Sequence, residues 1–245
     1  MTAPVVFDRV SKRFKDVVAV NGVTLDIREG EVFGIVGPSG AGKSTMLRLI
    51  DMLEAPSEGK VSVLGRYADP ASGEACEIRK EIGMVLQKPV VLNRSVANNL
   101  AYSLMIRGRP EGEIQKAVSR ELRKLGLEDR KLKNARTLSG GEMQRVSFSR
   151  STIFSPKLLL LDEFAANLDP ANVGILEGLV KSYMEEDRKR TTILVTHNLF
   201  QARRMCDRVA LMWGGEVVEV ADSKQFFENP ADDRSARFVK GELVY

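Results

Sequence analysis

Val23, Leu25 and Ile27 alternate with Thr24, Asp26 and Arg28, the two-residue period of a strand with one buried face. After a turn at Glu29-Gly30, the run Val32 to Val36 is apolar except for one glycine. Such a short continuous run predicts a strand covered on both faces, as in a parallel sheet. Two more such runs follow, Leu158 to Leu161 and Ile193 to Val195, with helical patterns between them. That order predicts an α/β layered core. The middle of the chain, from about Pro89 to Phe154, is patterned mostly for helix. Ile114, Ala117, Val118, Leu122 and Leu125 keep helical spacing, and Gly126 is placed to end that helix. Val209 to Trp213, Gly214-Gly215 and Glu216 to Val220 read as a hairpin. Ser223 to Tyr245 reads as a helix and tail.

The chain has 245 residues, 43% of them hydrophobic, enough for a sizeable core. Its net charge of +4 leans only weakly toward anionic partners. Cys76 and Cys206 are the only cysteines and make no disulfide framework, which suits a reducing cytosol. Met1 to Val10 has no signal-peptide core. No apolar run approaches the roughly 20 residues of a spanning helix, so any work at a membrane is expected from outside the bilayer.

Gly37-Pro38-Ser39-Gly40-Ala41-Gly42-Lys43-Ser44 fits a phosphate-binding loop, entered from a buried strand and left through a helical pattern (Met46, Leu47, Ile50, Leu53). Glycines let backbone N–H groups turn inward around phosphate oxygens, and the following helix presents its positive end to the anion. Lys43 supplies a point charge for the β- and γ-phosphates, and the Ser44 hydroxyl can ligate Mg²⁺. Thr45 is grouped with this set. The run Leu158 to Leu161 leads directly into Asp162-Glu163, which puts two carboxylates at the sheet's C-terminal edge. Asp162 suits an Mg²⁺ partner, direct or through water. Glu163 suits the group that orients and deprotonates an attacking water.

Leu138-Ser139-Gly140-Gly141-Glu142-Met143-Gln144-Arg145 resembles the signature motif of the ABC ATPase family. Ser139 and Glu142 also form a capping-box pattern, so a helix should start there, and the glycines bare the backbone at its positive end. Other family elements follow in order. Gln87 matches the Q-loop glutamine, which implies contact with Mg²⁺ or the attacking water. Ala166-Asn167-Leu168-Asp169 resembles the D-loop of the dimer interface. His197, the only histidine, matches the switch residue that contacts the γ-phosphate. Phe14 fits the aromatic that stacks on adenine, with Phe7 nearby as a competitor. One departure is evident: the family's usual Pro-Thr after the acids is Phe164-Ala165 here, which leaves the path to the D-loop open.

The resemblance implies an α/β fold with a P-loop NTPase (RecA-like) core, an N-terminal antiparallel β subdomain and an inserted α-helical subdomain. Residues 1–88 and 155–222 would form the core, 89–154 the helical insert, and 223–245 a C-terminal helix and tail. It implies ATP and Mg²⁺ as ligands and a homodimer formed on ATP binding, in which Ser139, Gly140 and Gly141 of one chain close the site of the other. It further implies transmembrane permease subunits as partners, reached through a surface near Gln87 to Ser95. A periplasmic or extracellular solute-binding protein would act indirectly, and the chain would sit at the cytoplasmic face of the membrane. Gln87 to Val90, Ser95 to Asn99, Thr196 to Ala202 and Arg237 to Leu243 look like oxyanion importers of the tungstate and phosphate type. The other class of function is a non-transport ABC ATPase acting on nucleic acid or ribosomes. Those relatives usually carry two nucleotide domains or a long coiled-coil insertion, and no arginine-rich arm or aromatic-basic platform is present here, so no nucleic-acid partner is expected.

Overall fold

The computed structural model describes residues 3–242. Leu243, the last position compared above with oxyanion importers, lies outside the described residues, as do the remaining residues to Tyr245. The chain begins with β1 (Val5–Phe14), β2 (Val17–Ile27) and β3 (Val32–Val36), then α1 (Lys43–Ile50) and β4 (Glu58–Val63). Next come α2 (Gly73–Arg79), β5 (Ile82–Val85), α3 (Val96–Met105), α4 (Glu111–Leu125) and α5 (Gly140–Thr152). The second half runs β6 (Leu158–Asp162), α6 (Pro170–Glu186), β7 (Thr191–Val195), α7 (Leu199–Met205), β8 (Arg208–Trp213) and β9 (Glu216–Asp222). Two short helices follow, α8 (Ser223–Glu228) and α9 (Asp233–Val239).

Among the described residues the strands form two sheets. One is antiparallel, ordered β2-β1-β4; the other is ordered β5-β6-β7-β3-β8-β9, parallel apart from β9. Val23, Leu25 and Ile27 of β2 are buried and Thr24 and Asp26 exposed, as their alternation predicts. β3, β6 and β7 are covered on both faces, and Thr191 and Thr192 are the buried polar positions of β7. Phe33, Ile35, Leu158 and Leu160 pack toward α1 and the small sheet, whereas Val36, Leu159, Leu161 and Leu194 pack toward the helices on the other side. Each fully buried leucine contributes roughly 1.5–3 kcal/mol before entropy is counted.

The middle region is helical, with α3 packed on α4 and α5. Ile114, Val118, Leu122 and Leu125 form the buried stripe of α4, and Gly126 ends it in the left-handed conformation at φ 64°. The predicted hairpin is present, with Gly214 at φ 56° and Gly215 at φ 86° giving its two-residue turn. The C-terminal expectation of one helix needs correction: the described part forms two. Pro230 disfavours helical backbone at the residue before it, and Asn229 sits at φ −150°, which separates α8 from α9.

Candidate nucleotide site

β3 ends at Val36 and α1 begins at Lys43, so the glycine-rich loop joins a central strand to a helix lying between the sheets. The loop is tightly bracketed. A side chain on Gly37 (φ 147°) would run into the Met212 carbonyl oxygen of β8, and one on Gly42 (φ 102°) into the Ala19 carbonyl oxygen of β2. Lys43 is buried, and its Nζ donates to the Gly37 and Pro38 carbonyls at 2.7 Å each. Burial pulls its pKa down, while Glu163 and Asp162 push it back up.

A cleft of about 430 Å³ opens here, lined among others by Ser39, Gly40, Gly42, Lys43, Ser44 and Thr45. Gln87, Asp162 and Glu163 line the same cleft. Ser44 Oγ donates to Asp162 Oδ1 at 3.3 Å. Burial raises the Asp162 pKa, the Ser44 hydrogen bond opposes that, and neighbouring Glu163 adds to it. A bound divalent cation would favour the ionised form of Asp162. The donor set suits Mg²⁺, which takes one or two protein oxygens and fills its octahedron with water and phosphate. Among the described residues no group of three or more His, Cys, Asp or Glu forms an all-protein metal cage.

Glu163 stands at φ 47°, its N–H bonded to the Val195 carbonyl at 2.9 Å and its own carbonyl accepting from Ala166 N at 2.9 Å. His197 Nδ1 lies 3.0 Å from Glu163 Oε1, so the two residues expected to handle water and γ-phosphate are neighbours. The Phe164 departure is resolved by packing. The side chain is fully buried and the carbonyl accepts from Gln144 Nε2 at 2.6 Å. The turn is completed by Asn167 at φ 63°, and Asp169 then caps α6. Asp169 accepts from Asn172 N at 3.0 Å and Asn172 Nδ2 at 2.6 Å, bonds that lower its pKa.

The capping box at Ser139 is formed: Glu142 N donates to Ser139 Oγ at 3.3 Å and Ser139 N to Glu142 Oε2 at 2.8 Å. Ser139 and Gly140 are exposed, but Gly141 is buried. A side chain on Gly141 would overlap that of Asn172 and would have to displace it. None of the three lines the Lys43 cleft. Phe14 is exposed at the end of β1, with Lys12 Nζ 4.8 Å from its ring centroid, while Phe7 is fully buried. Phe14 does not line the cleft; Val17 and Ala19 on the next strand do. Sequence reasoning missed those two, and their nearness to Phe14 was the available signal.

A glycine-rich strand-to-helix loop gripping a lysine, with two acids at the end of β6, one strand removed across β7, defines a phosphate-loop NTPase cassette. The family model for ABC transporter matches residues 20–166. The "Methionine import ATP-binding protein MetN" of Geobacillus kaustophilus is 42% identical over 227 residues, covering 91% of this chain and 66% of that protein. The "Phosphate import ATP-binding protein PstB 2" of Natronomonas pharaonis is 35% identical over 96% of this chain and 86% of its own length. The dimeric structure of a post-hydrolysis state of the ATP-binding cassette MJ0796 bound to ADP and Pi superposes with a TM-score of 0.80 at 30% identity, covering 89% of this chain and 98% of that one. The chain belongs to the ABC transporter family. It spans about two thirds of the length of the methionine-import relative, 66%.

Proposed function

We propose that this chain is the ATP-binding and ATP-hydrolysing subunit of an ABC importer, acting as an ATP-bound homodimer on a separate transmembrane permease at the cytoplasmic face of the membrane. One observation carries the reading. The chain bears two turns suited to anions, the Lys43 loop and the Ser139–Gly140 helix start, and they do not share a cleft. A helix start of this kind offers free N–H groups and a positive dipole end. It finds a use if a second copy supplies the phosphate. In that arrangement Lys43 binds the β- and γ-phosphates, Ser44, Asp162 and Gln87 hold the cation, Glu163 accepts the proton of the attacking water, and His197 contacts the γ-phosphate. Mg²⁺ would supply charge neutralisation between the phosphates. Asp169 lies in the interface segment, and Phe14 supplies the adenine platform. Residues 89–154 act as the helical insert, and the surface near Gln87 to Ser95 contacts the permease. Among the described residues no helix is long and apolar enough to cross a membrane, which fits a division of labour with a permease.

The test is complementation. Ser139→Asp keeps an N-cap but puts a negative charge where phosphate would bind. Lys43→Ala removes the opposite grip. Each variant alone should be inactive with the permease; mixed, they form heterodimers with one intact composite site, and single-turnover hydrolysis should return. Mixtures as inactive as the parents would overturn the composite site. Stimulation by nucleic acid in place of the permease would overturn the importer reading.

For cargo, we infer an oxyanion such as tungstate. Support comes from the stretches at Gln87 to Asn99 and Thr196 to Ala202 and from the phosphate-import relative. The methionine-import relative at 42% identity favours an amino acid as the second reading. ATPase stimulation in proteoliposomes by binding protein loaded with tungstate, phosphate or methionine separates the two.

A further inference from the structure

Gln144 lies on the inner face of α5 and is 1% exposed. Its Nε2 donates to two backbone carbonyls far apart in the chain, Leu86 at 3.0 Å and Phe164 at 2.6 Å. Its Oε1 is buried without a hydrogen-bond partner. The amide orientation follows from chemistry, because reversal would press an oxygen against two carbonyl oxygens. Both protons of one NH₂ group are therefore used, one on each segment.

The two segments are telling. Leu86 immediately precedes Gln87, and Phe164 immediately follows Glu163. These are the residues read above as handling the attacking water. Glu163 also sits in the left-handed region at φ 47°, a conformation that persists in a non-glycine residue only where surrounding contacts enforce it. An orphaned buried acceptor is unfavourable. It is tolerated here because the same amide donates to two carbonyls, which joins the two segments at one point.

The geometry points to Gln144 as a positioning residue for hydrolysis. Its amide clamps the Gln87 and Glu163 segments at a fixed spacing and acts through them, touching neither nucleotide nor cation. The clamp also ties the start of α5, which carries the exposed Ser139–Gly140 turn, to both segments. This inference rests on the ATPase reading above.

The experiment uses the full chain with its permease. Gln144→Met and Gln144→Leu keep an apolar filling and remove the donor. Each should lower kcat at least tenfold while leaving the ATP Kd within twofold, measured well below a Tm that the loss of two hydrogen bonds also lowers. In a Gln87→Ala background, Gln144→Met should cost less than threefold more, because one route of its action is already gone. A folded Gln144→Met protein with wild-type kcat, or a full tenfold further loss in the Gln87→Ala background, would overturn the clamp. If both variants fail to fold, a gentler change remains. Replacing Ala165 by lactic acid makes the Phe164 carbonyl an ester and a weaker acceptor. It should lower kcat twofold to fivefold at unchanged ATP affinity, and no change would count against the proposal. A wild-type protein that hydrolyses no ATP with its permease sinks the ATPase reading; an active wild type with an equally active Gln144→Met sinks only the clamp.

Discussion

The side chain of Asn172 occupies the space that a side chain on Gly141 would need. Asn172 is also held from two sides: Arg145 donates to its Oδ1 at 2.6 Å, and its own Nδ2 donates to Asp169 at 2.6 Å. The start of α5 is thereby locked to the start of α6. Gly141→Ala should destabilise the fold by about 1–3 kcal/mol through overpacking. Asn172→Ala should recover at least half of that in the double variant, because the two residues are in contact. Urea unfolding of the four proteins measures the coupling, and strictly additive values would refute it.

Glu163 is poised beside His197, with 3.0 Å between Oε1 and Nδ1. Glu163→Gln keeps the shape and removes the proton acceptor. Loss of a general base costs typically 10²–10⁴-fold, so ATP should bind and hydrolysis should nearly stop. Size-exclusion chromatography with ATP should then show a persistent dimer. Rapid multiple turnover by this variant would disprove the role.

Lys43 is a buried ammonium aimed at the loop carbonyls of Gly37 and Pro38. Hydrogen bonds to a charged group contribute about 1.5–3 kcal/mol, or roughly tenfold to a hundredfold in affinity. Lys43→Ala should weaken ATP binding by at least that range in calorimetry. Unchanged affinity would remove the phosphate-loop assignment.

Asp51, at the C-terminal end of α1, has its pKa pushed up to about 7 by burial, with Arg79 opposing the shift. A folded pKa above the unfolded value means that the native state holds the proton more tightly. Stability is therefore greatest below the unfolded pKa of about 4, falls as pH rises toward 7, and stays reduced above it. Three units correspond to about 4 kcal/mol at most, and partial access of water reduces this to about 1–2 kcal/mol. Asp51→Asn should match wild type near pH 4 and exceed it in stability at pH 8. Parallel stability curves across that window would contradict the assignment.

The readable parts of the chain were those where chemistry or burial imposes a local pattern. β3, the glycine loop and α1 are fixed by residue types at set spacing, and β6 announces itself by four buried leucines before Asp162. β4 was missed because Glu58, Gly59 and Lys60 are all exposed and carry no period. β5 has only four residues, too few for a pattern to stand out. The break between α8 and α9 was visible in Pro230 but went unread. Asn172 and Gln144 could not be found from the sequence. Arg145 meets Asn172 across 27 positions and Gln144 meets Leu86 across 58, so neither pairing leaves a local trace. The same holds for Gly141, read as a bare backbone for a ligand but buried against its own chain.

The bracketing of the phosphate loop has a consequence for anyone wishing to transplant it. Carbonyl oxygens of Met212 and Ala19, from different sheets, stand where side chains on Gly37 and Gly42 would go. The two sheets together are thus a mould for the nucleotide loop, the small one walling Gly42 and the large one Gly37. A chimera that moves only residues 37–44 onto another strand and helix would inherit the phosphate donors without the walls that shape them. Such a chimera should accept alanine at either glycine more readily than the parent does, and hold triphosphate less tightly.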